Sequence, residues 1–525
     1  MKKILLAGPG TGKTTKVKKD FLGEVKDFSK VLVLSFTNAT INDLIKSFAK
    51  DGLPIDAKNC MTLHSYALRI NHHGDLHVLN TYEERVVKNM ARLLGVNFKL
   101  FCQMLDCITY DQMITDFIGF AKNNPVYLKD KVGEIELLIV DEFQDFNEIE
   151  QSLVHLIAEY AKDTLILGDD DQCIYDFKEA TSDGIVALYN DSAIEKIGHE
   201  NVCHRCADDI VEKSARLISN NQKRIAKDWH PSGIEGKVHF QQHRTMPETI
   251  AWAVEEMKRV RAENPKASIL ALAPVALAVE TLPEALDNAA VPFVNFFGDN
   301  IDLPTYQLIW KLRLVYTKYK LLNLILTVCA ADLSAYKKAK FRRVLKKHAG
   351  NGFTFANVFP DAQEFLDAEI LSYVETQPDF ETLLQSEPWS ALWEMLSKIE
   401  ESDAGKKLEK IDRYAKPPVS FNPEAVNIMS IHKSKGLEAT HVFIFGLVDG
   451  ILPRKTDGAE NMETQRRLMF VGMTRAKNFL YLLSTIRWDA KHVHLLGKEK
   501  FVPVRAAGSR HYNAITSPFI AELNL

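Results

Sequence analysis

Residues Ile4–Ala7 form a short apolar run that stops at Gly8-Pro9-Gly10, and from Thr14 onward the chain reads as a helix rich in lysine and valine. The loop between them is Ala7-Gly8-Pro9-Gly10-Thr11-Gly12-Lys13-Thr14. Its glycines let backbone N–H groups curl around phosphate oxygens, and the helix that follows turns its positive end towards the same point. A strand, a glycine-rich loop and a helix in this order predict an α/β fold with a phosphate-binding loop near the N-terminus. In such a loop Lys13 reaches the β- and γ-phosphates of a nucleotide and Thr14 holds Mg²⁺.

A second apolar strand, Glu136–Val140, ends in Asp141-Glu142. Two carboxylates at the C-terminal end of a strand stand where open α/β sheets bind ligands. Asp141 is expected to complete the Mg²⁺ shell, and Glu142 to orient or deprotonate the attacking water. The expected cofactors are therefore ATP and Mg²⁺.

The chain has 525 residues, 46% of them hydrophobic, which predicts three or four structural units. The stretches MKKILLAG and VLVLSF are far shorter than the roughly 18 apolar residues a membrane span needs, and the first lacks a signal-peptide cleavage site. No membrane partner is expected. Seven scattered cysteines suit a reducing compartment, so a cytoplasmic location is expected. Cys203 and Cys206 have the spacing of half a zinc site, but no second pair follows nearby. A formal net charge of −4 leaves open how the 65 Lys and Arg are distributed over the surface.

Asp141-Glu142-Phe143-Gln144-Asp145, together with Gly168-Asp169-Asp170-Asp171-Gln172-Cys173-Ile174-Tyr175, resembles the UvrD/Rep/PcrA family of superfamily 1 helicases. The resemblance continues in order through Ser35–Asn38, Thr62–Ser65, His204-Arg205, Ser430–Glu438 and Val471–Ala476, and the tail Ser517–Leu523 is similar to the end of that family's motor core. It implies two RecA-like P-loop NTPase domains, each with a mainly helical insertion, that sandwich ATP. The expected boundaries are 1–66 and 126–190 for the first motor domain, 67–125 for its insertion, 191–300 and 421–525 for the second motor domain, and 301–420 for its insertion. Within these, Tyr82–Leu94 reads as an amphipathic helix and Lys416–Pro423 as a hinge.

By the same resemblance Gly8 to Thr15 and Gln172 contact the nucleotide, Gln172 sensing the γ-phosphate. Arg205 and Arg475 are implied arginine fingers, whose fixed charge meets the spreading negative charge of the transition state. Gly436 would let backbone approach the phosphate side and Glu438 would bind the ribose. Relatives read the adenine with an N-terminal glutamine and stack it between an Arg and a Tyr. Only six residues precede Ala7, and the stacking positions hold Thr15 and His204. Weak base selectivity is expected, with use of GTP or CTP.

For the nucleic-acid track the resemblance points to Phe36, Asn38, Tyr175, Phe177 and Lys178, with His64 and His432 added, because single strands are held by stacked aromatics and polar groups at phosphates. The basic run Lys337–Lys347 reads equally as a duplex-phosphate contact or a solvated helix face. The implied partners are single-stranded DNA and single-strand/duplex junctions, with a protein partner left open and a monomer expected. The implied function is an ATP-dependent DNA helicase or translocase, 3′→5′ by family pattern. Two alternatives remain: a nucleic-acid-stimulated ATPase acting as sensor or regulatory subunit for a partner such as a nuclease, and an RNA helicase.

Overall fold

The computed structural model describes residues 2–71, 76–79, 81–94, 97–297, 319–348, 353–378, 380–386, 393–394, 397, 420–454, 459–496, 502–503 and 511–525. Residues 301–318 and 416–419, which fall in the expected second insertion and hinge, lie outside the described residues.

The apolar runs of the first expected domain, joined by the short segment Glu195–Lys196 from beyond its expected end at 190, become six parallel strands. Their spatial order is Cys60–Thr62, Val31–Ser35, Ile135–Val140, Ala161–Gly168, Lys2–Leu6 and Glu195–Lys196. Val31–Ser35 is buried at every position, as expected of a parallel strand covered on both faces. Because the strands are parallel, their C-terminal ends share one edge. The phosphate loop, Asp141-Glu142 and Asp169–Gln172 follow three strands that are neighbours in the sheet, so residues more than 100 positions apart meet there. The helix Glu148–Ala158 starts immediately after the acidic segment at a capping box, in which Asn147 and Glu150 satisfy each other's backbone N–H.

The second expected domain repeats the plan. Phe293–Asn295, Val426–Ser430, Ile269–Ala273, Ala439–Ile444 and Ala476–Asp489 are parallel neighbours, and Lys237–Thr245 also pairs parallel with Ala476–Asp489. Short antiparallel strands His511–Asn513 and Val502–Pro503 finish the edge. Both domains are RecA-like, as the sequence led us to expect. They share one compact unit made of 1–70, 118–298 and 419–525, and one apolar core in it joins Ile174, Tyr175 and Ala180 of the first to Met429, Ile431 and Met469 of the second.

A second unit comprises 71–117 and 299–418. Its core draws on both insertions: Leu79, Val87, Phe101 and Met104 pack with Leu322, Ile325, Phe341 and Val358. The helix Thr81–Leu94 and the parallel strand pair His77–Leu79 and Cys107–Thr109 come from the first insertion. The basic run forms the helix Ala335–His348, buries Phe341 and Leu345, and pairs Lys337 with Asp367 and Lys347 with Asp361. Arg342, Arg343 and Lys346 of that helix face solvent. Among the described residues no helix is long and apolar enough to cross a membrane.

Candidate nucleotide site between two RecA-like domains

The phosphate loop has the backbone its glycines permit. Gly10 and Gly12 take φ of 73° and 84°, a region side chains avoid. Gly12 caps the helix Lys13–Asp20 with no side-chain hydrogen bond, leaving the first N–H groups of the helix to a ligand. Gly8 and Gly10 are also close-approach positions for the other domain: a Cβ on Gly8 would lie 2.5 Å from Trp229 Cδ1, and one on Gly10 would lie 2.6 Å from Arg205 Cβ.

A cavity of about 430 Å³ opens on this loop. The first domain lines it with Gly8 to Thr15, Thr40, Asp43, Leu44, Ser47, Asp141, Glu142 and Gln172. The second domain adds Arg205, Gly436 and Arg475. Lys13 Nζ donates to the carbonyls of Ala7 (2.8 Å) and Gly8 (3.4 Å), which holds its ammonium over the loop.

Burial, and then the Glu142 charge beside it, push the Asp141 carboxyl up to about 7. Glu142 is opposed by the same burial, yet Lys435, Lys13 and the amide of Gln144 hold it below the ordinary carboxylate value. Two adjacent carboxylates thus differ in proton affinity, Asp141 holding a proton more tightly than Glu142. Thr14 and Asp141 line the same cavity, and a divalent cation would relieve the buried Asp141; the donor set fits Mg²⁺.

Gln172 Nε2 donates to Asp169 Oδ2 (2.7 Å) while its Oε1 accepts from Arg475 Nη2 (3.3 Å). Arg475 is 2% exposed, and its remaining bonds go to Val471 O (2.9 Å), Leu437 O (3.3 Å) and Thr474 Oγ1 (3.1 Å). Burial, with the Arg205 guanidinium next, lowers Arg475 to about 10, which leaves it charged at neutral pH. Arg205 points Nε at Glu438 Oε2 (2.8 Å), and Glu438 also takes Lys477 Nζ (2.5 Å).

Two implied nucleotide contacts are therefore placed away from the cavity lining. Glu438 is engaged by two cations, and His204 is exposed, with its backbone N–H donating to Gly10 O (2.9 Å). Cys203 and Cys206 are buried, with the Cys206 amide donating to Cys203 Sγ (3.4 Å) and Cys206 Sγ donating to Thr474 O (3.6 Å). Among the described residues they join no metal-ligand cluster.

Lys435 lies in the Ser430–Glu438 segment and has no role implied by the resemblance. It crosses from the second domain to Asp145 (2.6 and 2.7 Å) and to the Gln172 carbonyl (2.7 Å). Burial opposes its charge, but Asp145 and Glu142 override this and raise its pKa above the ordinary lysine value. Its place beside Gly436 was the available signal. Arg224, Lys227 and Trp229 carry no comparable signal in their local sequence.

Of the residues assigned to a nucleic-acid track, four come together. Phe36 and Tyr175 have ring centroids 4.8 Å apart, Lys178 Nζ lies 4.7 Å from the Phe36 centroid, and His432 is 6.3 Å from Tyr175. Tyr175 is only 9% exposed, packed into the core shared by the two domains. His64 Nε2 instead lies 2.6 Å from Glu150 Oε1, and Asn38 is exposed at the start of the helix Asn38–Lys50. The Phe177 side chain lies outside the described residues.

A parallel sheet that presents a phosphate loop, an acidic strand end and a glutamine to arginines from a second such sheet defines a tandem RecA-like P-loop nucleotide-binding protein. Comparison with known proteins narrows this class. Residues 71–193 match the UvrD/REP helicase N-terminal domain, and residues 387–487 match the UvrD-like helicase C-terminal domain. Both matches are to domains of UvrD-like helicases, in keeping with the resemblance to the UvrD/Rep/PcrA helicases. It is 23% identical to the ATP-dependent DNA helicase srs2 of Schizosaccharomyces pombe, over 71% of this chain and 49% of that protein. It is 22% identical to the ATP-dependent DNA helicase PcrA of Staphylococcus aureus, over 72% of this chain and 58% of that protein. With a probable DNA helicase II homolog of Rickettsia conorii it shares 22% identity over 91% of this chain and 89% of the relative. The chain thus spans about half to three-fifths of the first two relatives.

Proposed function

We propose that this protein is an ATP-driven motor that moves along single-stranded DNA, 3′→5′, and separates duplex at a junction. The observation that carries the reading is a cavity lined from both RecA-like domains, with the phosphate loop, Asp141, Glu142 and Gln172 on one side and Arg205 and Arg475 on the other.

In this reading Lys13 leaves the Ala7 and Gly8 carbonyls for the β- and γ-phosphates, and the free N–H groups at Gly12 to Thr14 cradle the phosphate oxygens. Thr14 and Asp141 hold Mg²⁺, which neutralises phosphate charge when bound. Glu142 accepts the proton of the attacking water, Gln172 positions that water against the γ-phosphate, and Arg475 and Arg205 stabilise the charge that spreads as the bond breaks. Arg205 must exchange Glu438 for phosphate to do so. Glu438 then becomes available to the ribose, while Thr15 and His204 give the base little to read.

Tyr175 lies three residues beyond Gln172 and touches Phe36 of its own domain and His432 of the other. A change at the γ-phosphate is transmitted over that short segment to a cluster suited to stacking bases, and Lys178 supplies a charge for the backbone. The test is ATP hydrolysis by the purified chain with single-stranded DNA or RNA, together with unwinding of 3′- and 5′-tailed duplexes. DNA-stimulated hydrolysis with unwinding of the 3′-tailed duplex supports the proposal. Hydrolysis without unwinding moves it to a regulatory ATPase, and preference for RNA to an RNA motor.

A further inference from the structure

Asp169, Asp170 and Asp171 are buried, and an oxygen from each lies within 4.8 Å of the others. Three carboxylates so placed repel one another strongly away from water, and a metal ion is one way to hold them. Here a lysine from the other motor domain does so. Lys227 Nζ stands 3.1 Å from Asp169 Oδ1, 2.5 Å from Asp170 Oδ1 and 2.9 Å from Asp171 Oδ2, with 5% of its side chain exposed. Arg224 adds a bidentate pair to Asp171 (2.8 and 2.6 Å), and the Ile225 amide donates to Asp170 (2.8 Å). Burial works against the Lys227 charge, and the carboxylates override it, raising its pKa above the ordinary lysine value.

The segment that carries these cations is registered on the nucleotide site at both ends. At one end Trp229 Nε1 donates to Pro9 O in the phosphate loop (3.0 Å). At the other, Asn221 Nδ2 and the Gln222 amide bond to Glu463 (3.0 and 2.7 Å), on the helix Ala459–Met473 that leads directly into Arg475. Lys227 and Arg475 therefore belong to one packed body, and they reach the Asp169–Gln172 pair from two sides. Asp169 is the middle of that contact: Oδ1 faces Lys227, Oδ2 accepts from Gln172, and its amide donates to Gln144 Oε1 (3.1 Å), whose own amide reaches Glu142.

We propose that Lys227 is a positioning residue that reports the seating of the second motor domain to the hydrolytic machinery, acting through Asp169 on Gln172. With Lys227 in place Asp169 is held as an anion with one oxygen for Gln172. When the second domain withdraws, the three carboxylates lose their common cation, and Asp169, still the acceptor of Gln172, is no longer held in position by it. The gate rests on the motor reading above, because it needs Gln172 to act on the γ-phosphate.

The test is steady-state ATP hydrolysis by the full chain and by Lys227→Met, Lys227→Arg and Asp169→Asn, with and without single-stranded DNA. Wild-type turnover that Lys13→Ala abolishes supports the motor reading, and absence of wild-type turnover overturns that reading itself. Given turnover, Lys227→Met is expected to lower kcat at least tenfold, with KM for ATP within threefold and DNA stimulation lost, and Lys227→Arg to recover most of kcat. Asp169→Asn keeps the size of the side chain and leaves two carboxylates for Lys227, so it decides the matter should Lys227→Met fail to fold. It too should lose kcat and not KM. A wild-type kcat in Asp169→Asn, or a loss confined to KM in Lys227→Met, overturns the inference while the motor reading stands.

Discussion

The two faces of the nucleotide cleft differ in charge and in how their charges are held. The first domain presents Asp141, Glu142, Asp145 and Asp169–Asp171, and the second presents Arg205, Arg224, Lys227, Lys435 and Arg475. Each face alone is dominated by one sign, which is costly where the charges are buried, and the two together compensate. Lys227 and Lys435 are already spent on protein carboxylates and act as fasteners. Arg475 rests on carbonyls and the Gln172 amide, so it can meet a phosphate without giving up an ion pair. Arg205 can do so only by leaving Glu438. Position along the cleft therefore separates cations that join the domains from cations held ready for a ligand.

The largest effect should come from the one cation on the acidic face that lines the cavity. Lys13→Ala is expected to reduce ATP hydrolysis by about 10³-fold or more while circular dichroism and thermal midpoint stay unchanged. Residual turnover near wild type would remove the nucleotide site from this loop. Next in size is the contrast between the two arginines. Single-turnover rates should fall about 10³-fold in Arg475→Ala and about 10²-fold in Arg205→Ala, because the second must first exchange Glu438. The reverse order would break the distinction between a ready and a tethered cation.

At the strand cluster, Tyr175→Ala should weaken the apparent affinity for single-stranded DNA by about 5- to 100-fold, read from the DNA concentration that half-stimulates hydrolysis. Basal hydrolysis should change far less, and an equal loss in both would make Tyr175 a packing residue of the shared core. Smaller still is the expected discrimination among bases. With Thr15 at the cavity and His204 turned to solvent, GTP and CTP should support hydrolysis within about tenfold of ATP, since a site without hydrogen bonds tailored to one base rejects the others weakly. Strict adenine preference in a nucleotide panel would point to a base contact outside these residues.

The smallest effect concerns the body of the basic domain. His441 stacks on Phe479 with centroids 4.9 Å apart, and burial lowers it to about 4 from an ordinary 6.5. As pH falls below 6.5 the unfolded chain takes up this proton before the folded one does. The stability due to the neutral ring is therefore full above 6.5 and is lost as pH falls towards 4. His441→Phe keeps the stack without the titration, so between pH 7 and 5 the wild type should lose about 1–3 °C more in thermal midpoint than the variant. Parallel melting curves would show that the acid response arises elsewhere.

Ala7 to Thr14, Asp141-Glu142 and Asp169–Gln172 could be read from the linear chain because each is a short contiguous segment whose backbone needs local residues: glycines for positive φ, apolar runs for parallel strands, acids at strand ends. The α/β class and the helicase resemblance followed from those segments and their order. The pairing of Lys227 with Asp169–Asp171, of Lys435 with Asp145 and of Trp229 with Pro9 was decided by the tertiary structure alone. Nothing in a lysine's neighbours states which carboxylate it will meet tens or hundreds of residues away, since that partner is set by how two sheets dock. The same holds for the two insertions, which bury their apolar faces in one core that neither segment's periodicity revealed. Local sequence fixed which groups the cleft contains, and the docking of the two domains fixed which of them are fasteners and which remain for a nucleotide.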